Sequence, residues 1–204
     1  GLTDDRTGWT RYTAVERYAR ERGIAVVLPE VQRSFYIDGV RGLKYFTYVS
    51  QELPQMVHRM FGLPLEKENS YIMGLSMGGY GALKCALTYP ERYAGCGSFS
   101  GVTDLEQMRE NPTGSMQPWE YDALLGAGKP TGAENDLFRL AQKKTLPSIY
   151  LSCGEQDSLY EMNVRFDAHL KALGANHRFD HRAGAHTWDF WDQSLQDCMS
   201  WLKI

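Results

Sequence analysis

Gly74-Leu75-Ser76-Met77-Gly78 holds one serine between two glycines, after the apolar run 71–75 and ahead of a helix pattern rich in small residues. This spacing suits a nucleophile. A strand that turns sharply into a helix forces the serine between them into a strained backbone, and side chains two positions to either side would collide. Gly74 and Gly78 carry none. With twelve serines and twenty glycines in 204 residues, the bare pattern arises by chance in roughly one such sequence in ten, so the context has to carry the reading. Gly78, Gly79 and Gly81 each cost a helix about 1 kcal/mol relative to alanine. Three in so short a span imply that other backbone comes close, and Ala82, Cys85 and Ala86 extend the same thin face at helical spacing.

A serine hydroxyl is a poor nucleophile at neutral pH until a base takes its proton, and the base needs a carboxylate to fix its tautomer. In a strand-turn-helix arrangement the chain order is serine, acid, histidine, each in a loop after a later strand. Of the five histidines, His58 precedes the serine in a helix, His169 lies within a helix, and His177 and His181 sit inside an apparent strand. His186 follows a strand, in Ala183-Gly184-Ala185-His186, and is read as the base; capping of the last helix is its alternative role. The strand 148–153 runs into Gly154-Glu155-Gln156-Asp157, which makes Asp157 the first choice of acid. Glu155 is the runner-up, and Asp180 is disfavoured by its place in mid-strand. A tetrahedral intermediate also needs two N–H donors about 3 Å from its oxyanion. Met77, just after the nucleophile, supplies one, and Gly1-Leu2 reads as the remnant of the loop that supplies the other.

The elements that must position these groups alternate. Residues 10–22 read as an amphipathic helix, 24–28 as a strand, and 43–61 as a helix with Phe46, Val49, Leu53, Val57 and Met60 on one face, interrupted at Pro54. After the strand 71–75 come a helix over 77–89, stopped by Pro90, and a strand over 94–98. Residues 103–140 lack a clean period and read as a lid-like insertion with short helices. Strand 148–153, helix 160–173, strand 177–182 and helix 187–202 complete the chain. Such alternation predicts a mostly parallel sheet with helices on both faces and catalytic groups beyond the carboxyl ends of the strands. Five strands are few for an open sheet of this kind, and the chain opens at Gly1 rather than at methionine, so earlier strands are expected ahead of Gly1.

A length of 204 residues with 43% hydrophobic and 23% charged residues fits a single domain over residues 1–204. A net charge of −3 and the absence of basic runs argue against nucleic acid and anionic membranes as partners. No apolar stretch approaches the roughly 20 residues of a membrane span. Cys85, Cys96, Cys153 and Cys198 are scattered, without zinc-site spacing, and read as reduced core thiols. That leans towards a soluble cytoplasmic protein, with secretion by a removed leader left open. No metal, nucleotide or flavin motif is present, so no cofactor is expected. Oligomeric state is not legible, and a homo-oligomer is left open.

GLTDD at the start, SFYID over 34–38, GLSMGGYGALKCAL around Ser76, SFSG over 98–101, CGEQDSLYE around Asp157 and AGAHTWDFW around His186 together resemble the esterase D branch of the α/β-hydrolase superfamily, nearest to its tributyrin esterase-like members. That branch also holds S-formylglutathione hydrolases and feruloyl and acetyl esterases. The resemblance implies an α/β-hydrolase fold, a triad of Ser76, Asp157 and His186, and an oxyanion hole from the amides of Leu2 and Met77. The departure is the missing amino-terminal strands. The expected activity is a serine carboxylesterase acting on small-molecule esters, with Trp9, Phe35, Tyr36 and Trp188 as aromatics that shape the pocket, although packing is the commoner role for such residues. Alternatives are thioester hydrolysis on an S-acyl glutathione, acyl transfer to a sugar, and a non-catalytic binding protein on the same fold. Retention of all three groups in the expected order weighs against the last.

Overall fold

A computed structural model describes residues 1–110 and 116–204. Four strands, β1 (Tyr71–Leu75), β2 (Gly95–Phe99), β3 (Ser148–Gly154) and β4 (His177–Arg182), form one sheet in the order β1-β2-β3-β4, every pair parallel. Parallel neighbours put all four carboxyl ends on one edge, so the loops after β1, β3 and β4 collect there. Side chains alternate faces along each strand. Gly95 and Gly97 of β2 turn towards helix α10 (Trp188–Leu202), and a Cβ there would lie 2.5 Å from Leu202 Cδ2 or 2.7 Å from Cys198 Sγ. The absent side chains let that helix close on the sheet.

Two cores result. One lies under α5 (Met77–Thr88) and α9 (Tyr160–Ala172), where Leu83, Ala86, Leu151 and Phe166 are each fully buried. The other lies under α10 with α1 (Gly8–Tyr12) and α2 (Val15–Arg22), and centres on Leu75, Phe99, Tyr150 and Trp191. The mostly parallel sheet covered on both faces is the architecture expected from the alternation.

Three expectations need correction. Residues 24–28 pair with no strand among the described residues, and Val26 and Val27 stand 42% and 44% exposed. An apolar run becomes a strand only where another strand offers hydrogen-bonding groups, so the described residues hold four strands rather than five. The helix over 10–22 is two helices: Thr13 is extended, its hydroxyl accepts from Val15 N at 3.2 Å, and the chain restarts as α2. Pro54 does not interrupt the next helix. Helix α3 (Tyr45–Thr47) widens into a π turn (Tyr48–Glu52) and continues as α4 (Leu53–Phe61), with Leu53 N donating to Tyr48 O. Near that bulge, Ser50 O accepts Arg92 Nη1 at 2.8 Å.

Residues 103–140 carry the short helices α6 (Leu105–Glu110), α7 (Pro118–Leu125) and α8 (Leu137–Leu140), with 111–115 outside the described residues. Arg33 grips Glu120 with Nε–Oε1 at 2.6 Å and Nη2–Oε2 at 2.9 Å, while Val40 N and Arg41 N donate to Leu124 O and Ala123 O. Segment 33–41 is thereby tied to α7. All four cysteines are buried and unpaired. No helix among the described residues is long and apolar enough to cross a membrane.

Candidate active site

Ser76 is the single residue between β1 and α5, at φ 53° and ψ −119°, a region that side chains other than glycine rarely adopt. Its N–H donates to Phe99 O at 2.8 Å, and its carbonyl accepts Tyr80 N at 3.2 Å and Val102 N at 3.3 Å. Three backbone bonds hold the turn. The glycines explain the close approach: a Cβ on Gly74 would lie 2.4 Å from the Gly78 carbonyl, and one on Gly79 would lie 2.6 Å from Ser98 Oγ and 2.8 Å from Gly101 Cα. A Cβ on Gly81 would lie 2.3 Å from the Tyr36 ring.

Asp157 and His186 meet. His186 Nδ1 lies 2.7 Å from Asp157 Oδ2, while Asp157 Oδ1 accepts Leu159 N at 2.9 Å. Burial pushes the Asp157 carboxyl up, but the hydrogen bond and charge of His186, the Leu159 N–H and the Ser100 hydroxyl outweigh it and hold the carboxyl below its ordinary value. An ionised Asp157 makes Nδ1–H the donor, which leaves Nε2 free to take a proton. The two loops are laced together: Glu155 N donates to Arg182 O at 3.0 Å, Gln156 N to Gly184 O at 2.9 Å, and Gly184 N to Gln156 Oε1 at 2.7 Å. The other two carboxylates are engaged elsewhere. Glu155 pairs with His181 at 3.0 Å, and Asp180 accepts the Tyr150 hydroxyl at 2.7 Å.

The structure joins Asp157 to His186, while the Ser76 hydroxyl makes no hydrogen bond among the described residues, with the imidazole or otherwise. Met77 is the first residue of α5, and its N–H, like that of Leu2, donates to no protein group among the described residues. The Leu2 loop lies against the end of β1, since a Cβ on Gly1 would sit 3.0 Å from Leu75 Cδ1.

The four aromatics part company. Tyr36 sits at φ 51°, with its hydroxyl 3.6 Å from where a Gly78 Cβ would be, beside the Ser76 turn. Phe35, 1% exposed, packs against Tyr80 and Tyr121 in the first core. Trp9 and Trp188 meet edge to face at 5.5 Å, against the second core.

Sequence reasoning passed over Lys84. Its Nζ, buried inside α5, donates to Tyr36 O at 2.9 Å and Asn135 Oδ1 at 2.7 Å and lies 4.4 Å over the Phe46 ring. Burial pulls its pKa down to about 8, partly offset by Cys85, Asp38 and Glu134. One lysine in a helix of otherwise small and apolar residues was the available signal. No group of three or more His, Cys, Asp or Glu able to hold a metal is found among the described residues.

A parallel sheet, a strained serine between strand and helix, and a carboxylate-bound histidine on the same edge define the class of carboxylesterase-type serine hydrolases on an α/β fold. The family model Esterase, described as "Putative esterase", matches residues 1–202, and the chain belongs to that family. It is 27% identical over 216 residues to an acetyl esterase of Caldicellulosiruptor saccharolyticus, covering 100% of this chain and 80% of that one. Among solved structures it is similar to FphF, a fluorophosphonate-binding serine hydrolase of Staphylococcus aureus, at 32% identity and TM-score 0.90 over 99% of this chain and 80% of that one. The S-formylglutathione hydrolase FrmB of Staphylococcus aureus is 31% identical, with TM-score 0.87 and the same coverage of both chains.

Proposed function

We propose that this chain hydrolyses small carboxylic esters with short acyl groups through an acyl-enzyme on Ser76. Ser76 Oγ attacks the ester carbonyl carbon as His186 Nε2 takes its proton, and the oxyanion is met by the N–H groups of Met77 and Leu2. His186 then returns the proton to the departing alkoxide. Water, deprotonated by the same imidazole, attacks the acyl carbon and releases the acid and Ser76. The observation that carries this reading is the 2.7 Å contact between Asp157 and His186, on the sheet edge that also bears the strained Ser76.

In this reading the whole chain is one domain, with residues 103–140 as a lid-like insertion. Tyr36 is the pocket wall nearest the nucleophile, and Phe35 supports it from the core. Trp9 and Trp188 border the site through their packing. The four buried, unpaired thiols support a reducing compartment such as the cytoplasm.

Turnover of p-nitrophenyl acetate by the intact chain and by Ser76→Ala tests the proposal. Release of p-nitrophenol by the wild type and its loss in the variant is the expected result; equal rates from two folded proteins would refute it. The likeness to FrmB favours a second reading, thioester hydrolysis on an S-acyl glutathione. A panel of matched esters and thioesters separates the two, and a preference for thioesters by orders of magnitude would replace the first reading with the second.

A further inference from the structure

β4 ends the sheet on one side, and no strand lies beyond it among the described residues. The ladder fixes which of its groups point outward. Ile149 N donates to Asn176 O and Glu155 N to Arg182 O, each at 3.0 Å, so Asn176 and Arg182 face β3. In a parallel pair each residue turns its N–H and C=O to one side and the next residue turns them to the other. Arg178 and Asp180 therefore also face β3, while His177, Phe179 and His181 present their N–H and C=O groups outward. No hydrogen bond reaches those groups among the described residues. The opposite edge of the sheet is less open: every residue of β1 is half-buried or buried, whereas Arg178 and His181 are exposed.

A free edge is a template for a further strand, and the charges along it decide which strand fits. β4 reads His-Arg-Phe-Asp-His-Arg, with both signs present. When a second copy of β4 lies antiparallel across a two-fold axis, outward residues must meet outward residues, which centres the axis on a residue rather than between two. An axis at Arg178 sets that arginine against its own copy. An axis at Asp180 does the same to the carboxylate and sets Arg178 against Arg182. The axis at Phe179 sets Arg178 opposite Asp180, twice, in positions where the Cα atoms of antiparallel strands are about 4.5 Å apart. It also pairs all the outward residues, His177 with His181 and Phe179 with Phe179. We propose that β4 binds β4 of a second copy of this chain, antiparallel about Phe179, and joins two four-stranded sheets into one.

The side chains suit this register. Asp180 meets Tyr150 at 2.7 Å and Arg178 and Arg182 at 3.7 Å through Oδ2 each time, and its Oδ1 has no partner among the described residues. The Arg178 side chain is 52% exposed, with an ion pair to Asp180 of its own chain at 3.7 Å. On the other face, a cavity of about 520 Å³ lined by Tyr160, Lys171, His177, Phe179 and His181 gives room for the partner's phenylalanine and histidines. Pairing turns β4, whose following loop carries His186, from an edge strand into an interior one. It needs no step of the proposed ester chemistry.

Sedimentation velocity and two cysteine variants test this on the intact chain. The wild type should sediment as a dimer whose fraction falls on dilution. Arg178→Glu, which sets carboxylate against carboxylate, should sediment as a monomer with an unchanged circular dichroism spectrum. Phe179→Cys reads the register independently of that variant. Residues paired by hydrogen bonds across antiparallel strands have Cα atoms about 5.5 Å apart, within the span of a disulfide, and the four native thiols are buried. Mild oxidation should therefore link Phe179→Cys into a covalent dimer on a non-reducing gel. His181→Cys, at a more exposed position, should run as single chains, because the two copies of residue 181 stand four residues apart along the strands, roughly 13 Å. A wild type that is monomeric at every concentration, Arg178→Glu dimers as stable as those of the wild type, or a disulfide that forms as readily at 181 as at 179 would overturn the proposal.

Discussion

Lys84, on the helix that begins beside Ser76, reaches 2.9 Å to the carbonyl of Tyr36 and thereby fastens the strained tyrosine loop to that helix. No carboxylate closes an ion pair with it among the described residues, so a buried charge is held by two neutral oxygens and an aromatic face. Burial lowers its pKa from 10.5 to about 8. Between those values the unfolded chain holds a proton that the folded chain has released, so this group makes stability rise with pH over that window. The penalty it relieves is about 3 kcal/mol at most. Urea unfolding of wild type and Lys84→Met at pH 7, 8.5 and 10 should show the wild type gaining on the variant as pH rises. A constant difference would show that Lys84 is not buried as a charge.

The glycines of the nucleophile turn should differ in their tolerance of a methyl group. On Gly74 it would lie 2.4 Å from the backbone of Gly78, which cannot yield without opening the turn. On Gly81 it would press into the Tyr36 ring at 2.3 Å, a side chain that can move. Gly74→Ala should therefore lose most of its folded population. Gly81→Ala should fold with a loss of about 1–3 kcal/mol from overpacking and a kcat/KM reduced through the displaced Tyr36. Denaturant midpoints and ester kinetics on both variants check this, and the reverse order would contradict the assignment of the turn.

Asp157→Asn keeps the shape of the acid and removes its charge. The amide can donate to Nδ1, which favours the tautomer with the proton on Nε2, where it cannot accept from Ser76. By comparison with other serine hydrolases, kcat should fall by about 10⁴ at neutral pH with KM little changed. Because Asp157 is held below the usual carboxylate range, the wild type should keep its ionised acid as pH falls through the ordinary aspartate value. Glu155→Gln, whose carboxylate pairs with His181, should stay within about twofold of wild type.

Burial raises the thiols of Cys85 and Cys96 from 9 to about 12. With the folded pKa above the unfolded one, the stability they contribute is complete below pH 9 and is lost as pH rises towards 12. Each thiol steepens the loss by about 1.4 kcal/mol per pH unit. Unfolding free energies measured from pH 8 to 10.5 should bend downward above 9, and Cys96→Ala should bend less than wild type. Parallel curves would refute the buried-thiol account.

The placement of Ser76, Asp157 and His186 past the carboxyl ends of strands was legible because short-range signals suffice there: flanking glycines, a turn after an apolar run, a lone histidine in a loop. The pairing of Asp157 with His186 rather than Glu155 followed from the same positions. What escaped was anything set by partners distant in sequence. Residues 24–28 have the composition of a strand and, among the described residues, none beside them, and Pro54 lies within a continuous helix that passes through a π turn. Phe35 shares the SFYID motif with Tyr36 yet turns into the core, a difference of side that no one-dimensional pattern carries. Ser100 was visible within SFSG without its buried partner, since Trp191 lies 91 residues away.

The central claim is that Ser76 carries the acyl group. Peptide mass mapping after treatment with diethyl p-nitrophenyl phosphate tests it most directly, because the phosphoryl ester formed on an activated serine is stable enough to locate. The account predicts one adduct per chain on Ser76, with loss of ester turnover in proportion, and no adduct on Ser76→Ala. Labelling of a different residue in step with inactivation, or full turnover by Ser76→Ala, would contradict it.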